Sequence, residues 1–481
     1  MSKEGYIPKE QRKKILLLAD DIRFTSGIST MAKEIVIGTS HRLNWVNLGA
    51  AITHPEAGKK LDLCADTNTL AKIEDASVFI YPHSGYGSQE ILRQLIEIEK
   101  PDAIVFFTDP RYWIWLFQIE NEVRKKIPMV YLNIWDDLPA PLYNKAYYES
   151  CDALMAISKQ TFNINKLVLG EKAKDKVIKY VPHGINEEVF YPITPEMTED
   201  YSKVKEKKKK FFGENQPNFV ILYNARNIRR KCVPDLIVGY VEFCNQLPLE
   251  EAKKCALLLH TQPVDDNGTD LPAVIELLCD PERHRVVFST DRNSPYDMNI
   301  LYNCCDVVAL VSSNEGWGLS LTEGMMCGRP IIATVTGGMQ DQIRFEDKQG
   351  NWIEFNENFC SNHFGTYKTH GNWAFPIFPS NISLVGSVPT PYIFDDKADF
   401  RDIAIQISAC YKSGENFRKF IGAEARKWVT SDESMMSARA MCKNVIDTLE
   451  ETFAKWKPRP SHEFIKISKL PKKKIIHKLT Y

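Results

Sequence analysis

The chain of 481 residues has a formal net charge of -1, with 44% hydrophobic and 26% charged residues. That length exceeds the size at which a single core stops growing, so two packed domains are expected; the near-zero charge excludes a general pull toward nucleic acid, and any polyanion must be met by a local patch. The 12 cysteines are scattered, with only Cys304 and Cys305 adjacent and no C-x-x-C pair, which leaves no zinc motif and no disulfide framework.

The N-terminal segment is polar, and the apolar run from Ile15 to Ala19 is too short for a signal sequence or a membrane span. No other run approaches a spanning length, so a cytoplasmic protein without a transmembrane segment is expected. Short apolar, β-branched runs then alternate with helical stretches: KKILLLAD before a helix from about Ser29, ASVFIYPH before SQEILRQLIEIE, DAIVFFTD before a Trp-rich helix, then MVYLNIWD, ALMAISK and KVIKYVPHG. Alternation of this kind predicts an α/β fold with a doubly wound parallel sheet. It breaks at Tyr191-Pro192, and the Lys-rich stretch from Thr194 to Lys210 reads as a linker or an exposed helix.

The pattern restarts with NFVILYNARN, a helix from Pro234, CALLLHT, a helix near Leu271 to Leu278, HRVVFST and a helix around Asn299 to Cys304. DVVALVSS, a helix opened by Gly316-Trp317-Gly318, and PIIATV complete a second parallel sheet. From about Phe345 to Tyr392 the alternation stops in an aromatic segment containing Pro and Gly, an insertion long enough to be read as functional. The predicted organisation is therefore a first α/β domain over 1–192, a Lys-rich linker over 193–215, a second α/β domain over 216–445 with the insertion at about 345–392, and a C-terminal helix and basic tail over 446–481. Two such sheets form a ligand cleft at the carboxyl ends of their strands.

The sharpest motif is SSNEGWGLSLTEG, residues 312–324, where a strand hands over to a helix. Gly316 and Gly318 allow close approach of the backbone to a ligand, and the free N–H groups of a helix start form an anion site. Glu315 stands before the helix and Glu323 roughly two turns further on, so both carboxylates face one bound molecule at different heights. Either glutamate alone reads as a solvated group on a capped surface helix; the whole string reads as a site for a diphosphate and sugar hydroxyls. A second motif, YNARNIRRK over 223–231, follows the first strand of the second half. Arg226 and Lys231 can bracket a diphosphate, a planar fork beside a point charge, or the cluster is a solvated basic loop.

Those stretches resemble the retaining GT-B glycosyltransferases that include bacterial mannosyltransferases and sucrose synthases. The match runs through VPHGINEEVFYP (181–192), the A-R-x4-K loop (225–231), LYNCCDVVALVSSNEGWGLSLTEGMMCGRPIIAT (301–334) and Thr336-Gly337-Gly338, with the family's E-x7-E spacing from Glu315 to Glu323. The resemblance implies two Rossmann-like domains facing a central cleft, the first on the acceptor side and the second holding the nucleotide-sugar. It places Arg226 and Lys231 on the donor diphosphate with Gly316, Trp317, Gly318 and Leu319, Glu315 on the sugar hydroxyls, Glu323 on the ribose, and the base near Phe288 to Asp291, including Thr290. A UDP-sugar is the favoured donor, uridine being the commonest base among similar enzymes.

In the first half, Thr25-Ser26-Gly27-Ile28 looks like a reduced form of the family's glycine loop, in which Gly27 meets phosphate or acceptor, or forms a plain turn. Where many relatives carry a histidine, this chain has Thr108-Asp109-Pro110-Arg111; Asp109 either acts near the anomeric carbon or caps the next helix. His83 and His183 are read as structural. The expected reaction is retaining transfer in which the departing phosphate serves as base, without a metal or other cofactor: Asp136-Asp137 is no D-x-D motif, its carboxylates being adjacent.

For the acceptor, the Lys runs at 203–210 and 466–480 fit DNA phosphates, an anionic membrane surface, or solvent. Trp352, Trp373, Phe375 and Phe378 of the insertion either stack on a base or sugar or form a local core. DDIRFTSGISTMAKEI is also similar to glycosyltransferases of large tailed bacteriophages, some of whose relatives decorate hydroxymethylated bases in DNA. Modified phage DNA therefore stands beside a glycan or lipid-linked sugar as acceptor; a nucleotide-sugar epimerase and a non-catalytic nucleotide-sugar-binding protein are the readings of another class.

Overall fold

The computed structural model describes residues 5–51 and 53–460. Strands of the first half are β1 (Lys13–Asp20), β2 (Leu43–Ala50), β3 (Leu61–Asp62), β4 (Val78–Pro82), β5 (Ala103–Phe107), β6 (Met129–Asn133), β7 (Ala153–Ala156) and β8 (Val177–Tyr180). They form an eight-stranded sheet in the order β3-β4-β2-β1-β5-β6-β7-β8, parallel except for β3. Buried on both faces by helices, the central strands are nearly continuous apolar runs, as in Ile15 to Ala19 and Ala103 to Phe107. The second half contributes β9 (Phe219–Asn224), β10 (Cys255–His260), β11 (Val286–Ser289), β12 (Val307–Leu310), β13 (Ile331–Thr334), β14 (Phe345–Glu346), β15 (Thr369–His370), β16 (Ala374–Ile377), β17 (Asn381–Ser387) and β18 (Thr390–Lys397). Its main sheet runs β11-β10-β9-β12-β13-β16, all parallel, while β14-β15 and β17-β18 are separate antiparallel pairs.

Both sheets reverse strand order at their centres, between β1 and β5 in one and between β9 and β12 in the other. Such a reversal opens a crevice beyond the carboxyl ends of the two diverging strands, because the connections on either side leave in opposite directions. The loops that follow β1, β5, β9 and β12 are those that carry the motifs.

Several features differ from the sequence reading. The Lys-rich stretch contains a helix, one of its two readings, at Thr198–Phe212, but that helix is docked, its Val204 packing with Ile300 and Cys304 of the second half. Lys207 donates to Asn293 (3.0 Å) and Lys210 pairs with Asp291 (2.6 Å), so part of this lysine run is engaged in docking its own helix. The segment read as an insertion includes β16, the sixth strand of the main sheet, and its hairpin extends to Lys397. Pro376 and the aromatic neighbours hid this edge strand, where a residue without an N–H is tolerated. Trp373 is buried and Trp352 packs edge-on against Trp428 (5.1 Å), so these two rings belong to a local core. The C-terminal helix spans Ala438–Lys455, crossing the expected boundary at 445/446, and it packs on the first half: Cys442 donates to the Glu34 carbonyl (3.5 Å) and Lys179 pairs with Glu451 (2.6 Å). The basic run at 466–480 lies outside the described residues.

The seam between the halves is held by backbone pairing. Ile185 donates to Met436 O and accepts from Ala438 N, both at 3.0 Å. At Gly184 a Cβ would stand 2.3 Å from Ser437 O and 2.8 Å from Ala438 Cα. Backbone atoms cannot yield as a side chain can, so Gly184→Ala should destabilise the protein by roughly 1–3 kcal/mol and lower the melting temperature in calorimetry; an unchanged melting temperature would show that the seam accommodates the methyl group.

Candidate functional site

The loop after β9 continues into a 3-10 turn, Arg229–Lys231, and the loop after β12 leads to the helix Leu319–Met326. Between them sits Glu315, 6% exposed. Lys231 Nζ donates to Glu315 Oε2, Arg230 Nη1 donates to the same oxygen (3.2 Å) and to the Asn314 carbonyl (2.8 Å), and Ser312 Oγ adds a third donor at 3.2 Å. Burial pushes the Glu315 carboxyl up, but the charges of Lys231 and Arg230, with the hydrogen bonds, outweigh it and hold the group below its ordinary value. Burial likewise lowers Lys231, opposed by Glu315. The glutamate's backbone is fixed as well: Gly338 N donates to Glu315 O (2.9 Å), and at Gly338 a Cβ would lie 2.0 Å from Gly316 O, so Gly337 and Gly338 are required for this approach.

The helix Leu319–Met326 has Gly318 at its N-cap and no side chain capping it; Leu319 N bonds to Trp317 O (3.1 Å) and Leu321 N to Gly318 O (2.9 Å), so in the first turn Ser320 N is the group left without a bond among the described residues. Trp317 is buried with its Nε1 on Thr322 Oγ1 (3.1 Å), which makes it a packing residue beneath the loop. Glu323 lies deeper. It accepts from Tyr302 Oη, itself held by Asn224 Nδ2 (2.7 Å), and burial pushes its carboxyl up to about 7 against the effect of Tyr302.

From the first half, Gly27 begins the helix Gly27–Thr39, capped by Ser26, and a Cβ on Gly27 would be 3.2 Å from Leu319 Cδ1. The helix starts of the two halves therefore meet. Beside them, Asp20 at the end of β1 accepts from Ser26 Oγ (2.6 Å) and Tyr86 Oη (3.3 Å). Asp109 caps the 3-10 turn Pro110–Trp113 through Arg111 N (2.9 Å) and is clamped by the Arg111 guanidinium, which also reaches Thr390 on β18. Asp109 is thus a cap and an ion-pair partner, with the preceding Thr108 in the left-handed region at φ 106°. His83 and His183 stand apart from this hydrogen-bonding. His183 is buried edge-on to Phe107 (5.7 Å) and Trp317 (6.5 Å), and burial pushes it down to about 3, a neutral packing ring.

The structure brings together Lys231, Glu315, Gly316, Gly318, Leu319 and Gly27, with Glu323 below. It separates two other residues from them. Arg226 makes a two-pronged pair with Asp265 (2.7 and 3.2 Å) and its side chain is 62% exposed; Thr290 is an exposed residue after the edge strand β11. Residues not picked from sequence also face the site. Asp136 and Asp137, at the carboxyl end of β6, act on the charge of Arg230. Asp136 is pushed up to about 6 by burial, opposed by Arg230. Their position at a strand end beside the crevice was the available signal. Asp395 on β18 accepts from Asn314 Nδ2 (2.8 Å) and Ser313 Oγ (3.3 Å), and no local pattern marked it. Among the described residues no group of three or more His, Cys, Asp or Glu is arranged to hold a metal ion.

The hairpin β17-β18 ties the site to the first half. Phe394 N donates to Leu138 O (2.7 Å), Tyr143 Oη to Tyr392 O (2.9 Å) and Tyr392 Oη to Ala140 O (3.3 Å), while Asp396 N donates to Ser313 O (2.9 Å). The buried Asp396 carboxylate anchors the strand by accepting from Thr336 (2.6 Å), Ser361 (2.8 Å) and Asn362 (2.9 Å).

Two parallel-sheet halves meeting at their switch points, with an uncapped helix start in the crevice, define a GT-B fold. Within it, residues 281–359 match the family described as Glycosyl transferases group 1. HepE of Anabaena, solved with UDP and glucose, superposes with a TM-score of 0.61 at 16% identity, covering 92% of this chain and 100% of that one. Sucrose-phosphate synthase of Thermosynechococcus elongatus gives 0.61 at 15% identity with the same coverage. Among sequence relatives, alpha-monoglucosyldiacylglycerol synthase of Acholeplasma laidlawii is 21% identical over 215 residues, 45% of this chain and 47% of its own. A D-inositol 3-phosphate glycosyltransferase of Corynebacterium jeikeium is 25% identical over 191 residues, 40% and 43% respectively. The chain thus spans less than half the length of these curated relatives.

The Glu323 environment has a measurable consequence. With its native carboxyl raised from the ordinary 4.5 to about 7, the folded protein binds a proton that the unfolded chain has released between those values. The group's contribution to stability is therefore full below pH about 4.5 and lost by pH about 7. Glu323→Gln should match the wild type near pH ~4 and exceed it by on the order of 2 kcal/mol above pH ~7, read by thermal melts across that range; a difference independent of pH would show that the carboxyl is not held protonated.

Proposed function

We propose that this chain is a retaining glycosyltransferase that moves a sugar from a nucleoside diphosphate sugar, with UDP-sugar favoured, to an acceptor hydroxyl. The observation that carries this reading is the convergence, at one switch point, of the buried Lys231–Glu315 pair with an uncapped helix start. The anion site takes the diphosphate, Glu315 the hydroxyls of the sugar and Glu323 the ribose. The acceptor oxygen bonds to the anomeric carbon as the bond from that carbon to the phosphate oxygen breaks, and the acceptor's proton passes to the departing phosphate on the same face. Lys231 and the helix start stabilise the charge that grows on the leaving group, and their fixed placement removes reorganisation from the barrier. The scheme uses no cofactor. UDP in HepE, a protein of the same fold, supports the choice of donor.

For the acceptor, one observation favours a glycan or another uncharged polyol over hydroxymethylated DNA. The carboxyl groups of Asp136 and Asp137 stand near Arg230 and Asp395 accepts from the neighbouring Asn314, so this wall of the cleft offers oxygens suited to hydroxyls and not basic groups suited to a phosphate backbone.

The test is incubation of the full chain with a panel of nucleotide-sugars, alone, with oligosaccharide acceptors, with lipid-linked sugars and with duplex DNA containing hydroxymethylcytosine, following nucleotide release and acceptor mass. Acceptor-dependent release is expected, with kcat reduced about 100-fold or more in Lys231→Ala and Glu315→Ala. Mass gain on DNA alone would reverse the acceptor assignment. Conversion of the donor sugar to its epimer without any acceptor would replace the transferase reading, and failure to bind any donor would end it.

A further inference from the structure

Beyond the carboxyl ends of β4 and β5, next to the reversal between β1 and β5, two tyrosine rings lie face to face: Tyr86 and Tyr112, with 4.1 Å between centroids and 15° between planes. Their settings differ. Tyr86 is half-buried, Trp113 stands edge-on to it at 5.5 Å, and its Oη donates to Asp20 (3.3 Å). Its backbone is fixed by Gly85 and Gly87, both in the left-handed region at φ 84° and 94°. Gly85 O accepts from Ala51 N (3.2 Å), and a Cβ on Gly87 would stand 3.0 Å from both Leu48 Cδ2 and Trp115 Cζ2. The loop after β4 therefore presents Tyr86 in one orientation.

Tyr112 completes the pair from the loop after β5. It lies in the 3-10 turn that Asp109 caps, its N donates to Asp109 O (3.1 Å), and it is 49% exposed. Since Tyr86 covers one face of the ring, that exposure falls on the other face and the edge. Carboxylates flank the pair: burial, with the charges of Asp20 and Asp109, pushes the Tyr86 hydroxyl up. The adjoining cation, Arg111, is engaged by Asp109 and Thr390. Asp20 in turn accepts from Ser26 Oγ, next to Gly27, so a single side chain links the rings to the junction of the two helix starts. An aromatic face bordered by carboxylates suits a pyranose, whose C–H face lies on the ring while its hydroxyls find acceptors; a phosphate is repelled there.

We infer that the outer face of Tyr112, backed by Tyr86, is the platform on which the acceptor's sugar ring lies during transfer. The inference rests on the transferase reading above and narrows its acceptor to a sugar, either a free oligosaccharide or the head of a lipid-linked one. Tyr86 is a positioning residue that acts through Tyr112, and Asp20 ties the Tyr86 hydroxyl to the loop that leads to Gly27. Both tyrosines belong to the first half, whereas the residues assigned to the diphosphate and the ribose belong to the second, so substitution here separates acceptor binding from donor binding.

Initial rates of the full chain at saturating donor test this, with whichever free oligosaccharide or lipid-linked sugar gives acceptor-dependent release of nucleotide. Tyr112→Ala should raise the acceptor KM about 3–10-fold, the scale of one aromatic contact, while kcat, the calorimetric affinity for the donor's nucleoside diphosphate and the melting temperature stay unchanged. Tyr112→Phe and Tyr112→Trp keep a ring and should restore the wild-type KM. Tyr86→Ala should raise it as well, because Tyr112 loses its backing. An unchanged acceptor KM in Tyr112→Ala overturns the inference, as does a loss that neither aromatic variant restores or one shared by the nucleotide affinity. Transfer to hydroxymethylcytosine DNA with no sugar accepted also overturns it and leaves the transferase reading in place. If no acceptor raises nucleotide release from any donor, the transferase reading itself falls and this inference with it.

Discussion

Everything at the crevice depends on a buried carboxylate that must stay charged. Glu315 is withdrawn from water and survives ionised because Lys231 and Arg230 converge on one of its oxygens. A buried ion pair of this kind is weak as a source of stability, since both partners lose hydration, yet it is unforgiving once assembled: removal of either partner leaves a desolvated charge behind. The consequence is geometric. Lys231 comes from the loop after β9, Glu315 from the loop after β12, and Gly338 N, from the loop after β13, holds the Glu315 carbonyl. Three loops that would otherwise vary independently are fixed with respect to one another, as preorganised catalysis requires.

The same constraint explains why the site lies where the two sheets reverse. Strands diverging from β9 and β12 leave a gap beyond their carboxyl ends, and the helix Leu319–Met326 starts there with no side chain capping it. The first half repeats the arrangement with β1 and β5, bringing Gly27 against Leu319. His183 packs edge-on against both Phe107 and Trp317 behind this junction, so the residue read as structural touches the floor of the loop after β12 through its ring and carries no charge there.

The parallel strands that read as unbroken apolar runs were legible because burial on both faces leaves no polar alternation to confuse them. β2 was not, since Asn44 and Asn47 interrupt LNWVNLGA; Asn47 is fully buried and uses its amide to accept from Ile22 N and donate to Leu17 O. The docking of the C-terminal helix on the first half was illegible for another reason: it follows from where the chain crosses back at Ile185 and Ser437, a tertiary event with no local signature. At the site, glycine spacing located the loop and the glutamates. It did not show how Arg226 is held, because its partner Asp265 lies about 40 positions away in sequence and becomes a neighbour only through the β10 connection.

The hairpin β17-β18 sets a condition on how the cleft can work. Its links to the first half run through the Phe394 amide on the Leu138 carbonyl and through the hydroxyls of Tyr143 and Tyr392 on main-chain carbonyls, the latter two dependent on the tyrosine side chains, and its root is pinned by the buried Asp396 carboxylate to Thr336, next to the glycines beneath Glu315. A strand fastened at one end to the donor loop and at the other to the loop after β6 cannot follow either half without straining the other. Any relative movement of the halves must therefore carry the hairpin with it or break those few hydrogen bonds, each worth only about 1 kcal/mol net.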